Sequence, residues 1–231
     1  MQGYHFGIKP QRPSEKHISH ITNPTTSSKN YLFQVTSPIW PQPSYPPSNP
    51  PPFSPPPLIP SSFTPTLSLT ITYPSLSPSS GSLIRVHQAA TQPVISISPS
   101  PPPGSNYTFM LIDPDAPTPA DPKFAYWRHW VVSNISSANL DSDDIVKAGN
   151  TLTPYLAPGP KDESGPHRYL FLLFKEPEGL EVRKEDVGGD EFVERRSFGA
   201  REFVEKWGLE LVGVQWMRGV GDGWVGEKEE L

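Results

Sequence analysis

Four side chains in this sequence are of types that do chemistry and sit where chemistry is usually done: Asp113, Asp115, His129 and His167. The two acids lie in Asp113-Pro114-Asp115-Ala116-Pro117, separated and followed by proline. Proline fixes its own φ and restricts the residue before it, so this corner is stiff. An X-Pro bond here is a candidate for the cis form. Carboxylates at the mouth of an apolar strand are costly unless they have partners. Taken singly, the acids read as a turn facing water and each histidine as a structural one. Taken together, all four stand at the ends of apolar strands beside loops stiffened by Pro or Gly. Converging, they would form a small polar pocket with aromatic walls, the usual form of a ligand site. Three chemistries use such a set. One is a metal site of His and carboxylates. Another is hydrolysis through acid–base pairs, for which the sequence offers no Gly-x-Ser-x-Gly elbow and no evident nucleophile. The third is binding of an anion such as phosphate, with histidines and backbone amides as donors. The residues leave the metal and anion readings open.

These side chains need strands to hold them. The apolar run from Tyr107 to Ile112 leads into Asp113 and reads as a strand buried on both faces. Phe124 to Ile135 reads as a second strand, with alternation placing Trp127, His129 and Val131 on one face. His167 opens a third, where His167, Tyr169, Phe171 and Leu173 share a side. Tyr155 to Pro166, rich in Pro and Gly, is the loop before it. Leu67 to Tyr73 alternates apolar and polar as a half-buried strand does, and short strands are expected at 83–86 and 94–97. Asn139 to Asn150 is polar and acidic without clear periodicity. Ser197 reads as a helix N-cap, Ala200, Phe203, Val204 and Trp207 recur at helical spacing, and Gly208 fits the C-terminal cap. Leu209 to Trp216 returns as a strand. Strands outnumber helices and lack regular crossover helices, which argues for antiparallel sheets.

The chain has 231 residues, 32 of them proline, no cysteine and a net charge of −5. The absence of cysteine excludes disulfides, thiolate metal sites and a cysteine nucleophile. Mild acidity without a long basic run argues against nucleic acid as a partner. No stretch is long and apolar enough to span a bilayer, so an integral membrane protein is not expected. The N-terminus lacks a secretory apolar core, and a cytoplasmic location is expected. Residues 1–60 are expected to be a disordered arm, since Pro and Ser dominate from Ser37 to Pro60 and bury too little to offset the entropy of ordering. Its PxxP spacings lack flanking Arg or Lys, so it reads as a stiff polyproline tether. A domain over 61–218 and a loose Gly-rich tail over 219–231 complete the division.

Asp-Pro-Asp-Ala-Pro at 113–117, Trp127-Arg128-His129-Trp130 and Gly165-Pro166-His167-Arg168-Tyr169, in this order, resemble the phosphatidylethanolamine-binding protein family. The family includes Raf kinase inhibitor protein, plant flowering regulators and a yeast carboxypeptidase Y inhibitor. The resemblance covers about Phe63 to Trp216 and implies a mainly β fold, a large antiparallel sheet packed on a smaller one with few peripheral helices. It implies an anion pocket at one sheet end, shaped by a cis-proline turn and lined by Asp113, Asp115, Pro117, Trp127, His129, Gly159, His167 and Tyr169. It implies a non-catalytic regulator without a cofactor, binding a phosphate-type anion or phospholipid headgroup and acting on a kinase or another protein. Inhibition of a serine carboxypeptidase is the alternative within the family, and a metal-assisted hydrolase the alternative outside it. Departures from the family pattern are Lys161 in place of a second proline, Phe124 in place of a pocket tyrosine, and no counterpart of a closing C-terminal helix, from which a more open mouth is expected.

Overall fold

The structure is a computed structural model in which residues 58–139 and 144–226 are described. Residues 1–57 of the expected arm and 227–231 of the expected tail lie outside them. Among the described residues there are eight strands and one α-helix: β1 (Ser68–Thr72), β2 (Leu83–Arg85), β3 (Val94–Ser98), β4 (Asn106–Asp113), β5 (Trp127–Ser136), β6 (Asn150–Thr153), β7 (His167–Lys175), β8 (Glu210–Val220) and α1 (Ala200–Trp207). Six strands form one sheet in the order β2-β8-β7-β4-β5-β6, and β1 pairs with β3 in a second. The pairings are antiparallel except β2 with β8, which run parallel at the sheet edge. The mainly β, two-sheet architecture is therefore as the sequence implies.

β4 and β7 lie in the middle of the large sheet, which is why their sequences are apolar on both faces. One face, with Phe109, Leu111, Tyr169, Phe171 and Leu173, packs on the small sheet through Leu69, Ile71 and Ile95. The other, with Met110, Ile112, Leu172 and Phe174, packs on α1 through Ala200 and Phe203. Each such side chain taken fully from water contributes roughly 1.5–3 kcal/mol, and the sum fixes the strand ends where the acids and histidines stand. β1 alternates exposed and buried as its sequence predicts.

Three expectations need correction. The register of β4 against β5 shifts between Leu111 and Ile112, opposite Trp130 and Arg128. Simple alternation along β5 therefore fails: Trp130 and Val132 join the small-sheet core while Val131 faces α1, so Val131 does not share a face with His129, which meets Tyr169. The helix cap is Gly199 rather than Ser197, whose φ of 50° places it in a turn before the helix. β8 runs to Val220, four residues beyond the expected Trp216. Gly208, with φ 60° and ψ 35°, ends α1 in the left-handed cap that its type suggests.

Candidate functional site

The end of β4, the start of β5, the start of β7 and the last residues of β8 meet at one end of the large sheet, with Asp113 paired to Trp127 and His167 to Gly219. Asp113, Asp115, His129 and His167 are 3–4 % exposed and Tyr169 is 1 % exposed. The Asp113-Pro114-Asp115 corner closes on itself: Asp113 Oδ1 accepts the Asp115 amide at 2.6 Å, a turn that the proline between them, having no N–H, cannot complete alone. The Ala116–Pro117 bond is cis.

Each buried carboxylate has its own nitrogen partner. Asp113 Oδ2 lies 2.8 Å from His167 Nδ1. Asp115 takes a fork from Arg168, Nε to Oδ2 at 2.9 Å and Nη2 to Oδ1 at 2.6 Å, and the Arg168 amide adds a bond to Oδ2 at 2.7 Å. Paired in this way, both acids meet the requirement that buried charge be compensated. Tyr169 stands between the two histidines, edge-on to His129 at 5.3 Å and stacked with His167 at 6.5 Å. Its hydroxyl faces the backbone of Gly159, which brings the 154–166 loop into the site.

The pKa values of the two histidines are shifted in opposite directions. Burial disfavours charge on His129 and lowers its pKa, with Asp113 and the Leu156 carbonyl working the other way. Its Nδ1 lies 2.8 Å from the Leu156 carbonyl oxygen, so Nδ1–H is the donor and Nε2 carries the lone pair of the neutral ring. Burial also opposes charge on His167, but its hydrogen bond to Asp113 and the nearby carboxylates of Asp113 and Asp115 outweigh it and raise the pKa. The Pro117 carbonyl adds to this without forming a hydrogen bond of normal geometry, and His167 Nε2 is buried with no partner. Burial and the neighbouring Asp113 raise the Tyr169 phenol well above its usual range, so it stays a neutral hydroxyl.

Two arginines that the sequence reading did not single out build this site. Arg168 holds the acidic corner, and strand alternation had pointed it away from the histidines. Arg195 is buried and donates to the carbonyls of His129 at 3.2 Å, Pro154 at 2.9 Å and Asp190 at 3.0 Å. It ties β5, the 154–166 loop and the 188–196 connection together. Nothing in the Glu-Arg-Arg run around it signals this. Trp127 is packed edge-on by Phe192 at 4.9 Å, while Pro117 is half-buried and Gly159 exposed. Residues 221–226 carry no helix, and Arg85 holds them through the carbonyls of Gly221, Asp222 and Trp224 at 2.8–3.1 Å. The four acids and histidines are nonetheless buried rather than open.

A cavity of about 390 Å³ lies elsewhere, near α1, with Arg128, Arg196, Lys206, Asp186, Glu194 and Glu202 in its wall. Three cations there face three carboxylates, so nothing in its charge selects an anion. Among the described residues no group of three or more His, Asp or Glu side chains is placed to hold a metal ion, and no helix is long and apolar enough to cross a membrane.

Comparison with known proteins bears on the fold and the family. The chain matches the phosphatidylethanolamine-binding protein family over residues 64–210. It is 34 % identical over 114 residues to Protein MOTHER of FT and TFL1 homolog 2 of Oryza sativa subsp. japonica, a match covering 49 % of this chain and 60 % of that protein. The chain thus spans less than two thirds of that relative. Among solved structures, it resembles a phosphatidylethanolamine-binding protein from Plasmodium vivax with TM-score 0.58 and 24 % identity, covering 72 % of this chain and 92 % of the other. It also resembles a carboxypeptidase Y inhibitor solved with its cognate proteinase, with TM-score 0.55 and 23 % identity over 70 % and 86 % of the two chains. Those two likenesses speak to the fold alone. With the family match spanning most of the domain and the Asp113–His167 cluster at the sheet end, the chain belongs to the phosphatidylethanolamine-binding protein family.

Proposed function

We propose that this protein is a non-catalytic regulator that binds a phosphate-type anion, free or as a phospholipid headgroup, at the His167 end of the large sheet. His167 Nε2 carries the proposal: it is buried, has no hydrogen-bond partner, and sits across the ring from the nitrogen that Asp113 holds. When His167 is charged, Nε2 bears a proton, and a buried N–H without an acceptor costs about 1–3 kcal/mol. An anion oxygen accepting it would remove that cost. Tyr169 supplies a hydroxyl and Trp127 an apolar wall, with Pro117 and Gly159 shaping the entrance. Asp113 and Asp115 act by positioning, since their oxygens are occupied by His167, Arg168 and backbone amides. His129, kept neutral with its proton on Nδ1, has no donor left for an anion and serves as a wall of the site. The regulated partner, a kinase or a serine carboxypeptidase by family resemblance, is part of the proposal only as a class.

The test uses sulfate, whose charge is fixed across the range, titrated by calorimetry at about pH 5.5 and about pH 8, on either side of an ordinary histidine. We expect tighter binding at the lower pH and its loss in His167→Ala. Affinity that is flat with pH, or unchanged in His167→Ala, overturns the assignment. In the same preparations, phosphomonoester and ester substrates should not turn over, and turnover that disappears in His167→Ala would show an enzyme instead.

A further inference from the structure

Among the described residues three large apolar side chains are exposed, Phe192 at 59 %, Val193 at 60 % and, in the C-terminal segment, Val225 at 95 %, and the first two are neighbours in the chain. They are not isolated. Phe192 packs on Trp127, and the Arg196 guanidinium lies 4.6 Å over the Phe124 ring and 5.6 Å from that of Trp127. Phe124, Trp127 and Phe192 therefore form one apolar strip with the exposed Arg196 among them, and the exposed Val193 follows Phe192 in the chain. The strip is held in place: the Ser197 amide donates to the Phe124 carbonyl at 3.0 Å and the Phe198 amide to the Tyr126 carbonyl at 2.9 Å.

The chain itself enters the described structure beside this strip. Leu58 is the first described residue, and it and Ile59 pack on the cluster that contains Tyr126. The Leu58 backbone also bonds the Tyr126 hydroxyl, so the chain arrives one tyrosine side chain away from the residue next to Trp127. Immediately before it, ten of the seventeen residues from Pro41 to Pro57 are proline, interspersed with Tyr45 and Phe53. Such a segment favours polyproline II, whose carbonyls have no internal hydrogen bonds, and six residues of it run about 19 Å. Aromatic strips with a nearby N–H donor are what polyproline segments dock on. Arg196 supplies the donors, and the strip supplies the apolar contact.

We propose that the strip of Phe124, Trp127 and Phe192, with Val193 and Arg196, is a docking surface for the chain's own proline-rich segment, residues 41–57. The short connection through Leu58 makes docking intramolecular, at an effective concentration on the order of millimolar, so even a weak contact is populated. This contrasts with the tether reading, which gave the PxxP spacings no groove to meet. The proposal stands independently of the anion site.

The absence of native cysteine allows one label to be placed cleanly in the full chain. With a nitroxide on Ser54→Cys, we expect selective broadening of the Val193 methyl and Trp127 indole signals. The broadening should persist when labelled chain is diluted with excess unlabelled chain, and it should be lost in Phe192→Ser. Val193→Ser is a second variant of the same kind; both residues are exposed, and an unchanged remainder of the spectrum shows that the fold is kept. No broadening at Val193, or broadening indifferent to both substitutions, overturns the proposal. Broadening that disappears on dilution overturns it too, and shows a second copy of the chain as the occupant.

Discussion

His167 Nδ1 and Asp113 Oδ2 lie 2.8 Å apart with both side chains 4 % exposed, and this carboxylate is the largest of the groups that raise the histidine's pKa. Asp113→Asn keeps the shape and removes the charge. We expect the His167 pKa, raised in the parent, to fall in the variant, and stability below about pH 6 to drop by roughly 1.5–3 kcal/mol, the range for a hydrogen bond to a charged group. Proton NMR titration of the His167 ring reads the first effect and urea unfolding the second. An unmoved titration would show that Asp113 is not what charges the ring.

Asp115 and Arg168 make the second pair, and its strength lies in planar geometry. The Arg168 side chain is 29 % exposed and that of Asp115 5 %. Lysine would keep the charge and lose the fork. We expect Arg168→Lys to cost about 1–2 kcal/mol, a figure already reduced for partial exposure. The urea midpoint is the measurement, and a midpoint equal to that of the parent would mean that charge alone holds the acidic corner.

How much of this was readable before the structure depends on where pairing intervenes. His167, Tyr169, Phe171 and Leu173 share a side as expected, because β7 keeps its period through this stretch. Along β5 the same rule fails at Trp130 and Arg128, because a register shift belongs to a pair of strands and leaves no mark in one of them. β6 was not foreseen, being four residues of a polar edge strand with no apolar run to announce it. Gly208 was legible as a cap because a left-handed residue needs glycine's freedom, whereas Ser197 competed for a helix start that Gly199 takes. The acids and histidines announced themselves by type and by position at strand ends. Arg168 and Arg195 did not, since their roles come from a folded corner and from carbonyls of distant segments.

Gly219 sits opposite His167 in the sheet, and a Cβ there would come within 2.6 Å of the Tyr169 ring. Real Cβ atoms do not approach so closely, so Gly219→Ala must push Tyr169 from its place between the histidines. We expect a loss of about 1–3 kcal/mol, the usual cost of overpacking, with shifted ring resonances of both His129 and His167. Gly159→Ala is the control, since a Cβ there meets nothing within 4 Å. If the two variants behave alike, close approach of backbone to Tyr169 is not what requires glycine at 219.

The opposite shifts of the two histidines imply a shape for stability against pH. His129 has a lowered pKa, so between that value and about 6.5 the unfolded chain binds a proton that the folded one refuses. Stability therefore rises with pH through this window. His167 has a raised pKa, so above about 6.5 the folded chain keeps a proton that the unfolded one releases. Its stabilisation is fully present below about 6.5 and is lost as pH rises through the folded pKa. Each arm can slope by at most about 1.4 kcal/mol per pH unit, one proton's worth. The pair together should place a stability maximum near pH 6.5. Asparagine at either position keeps a donor near the Nδ1 site without titrating. Urea unfolding across about pH 5 to 8.5 should show the acid arm flattened in His129→Asn and the basic arm flattened in His167→Asn, each relative to the parent. If either substitution leaves its arm unchanged, that histidine does not hold the charge state assigned to it.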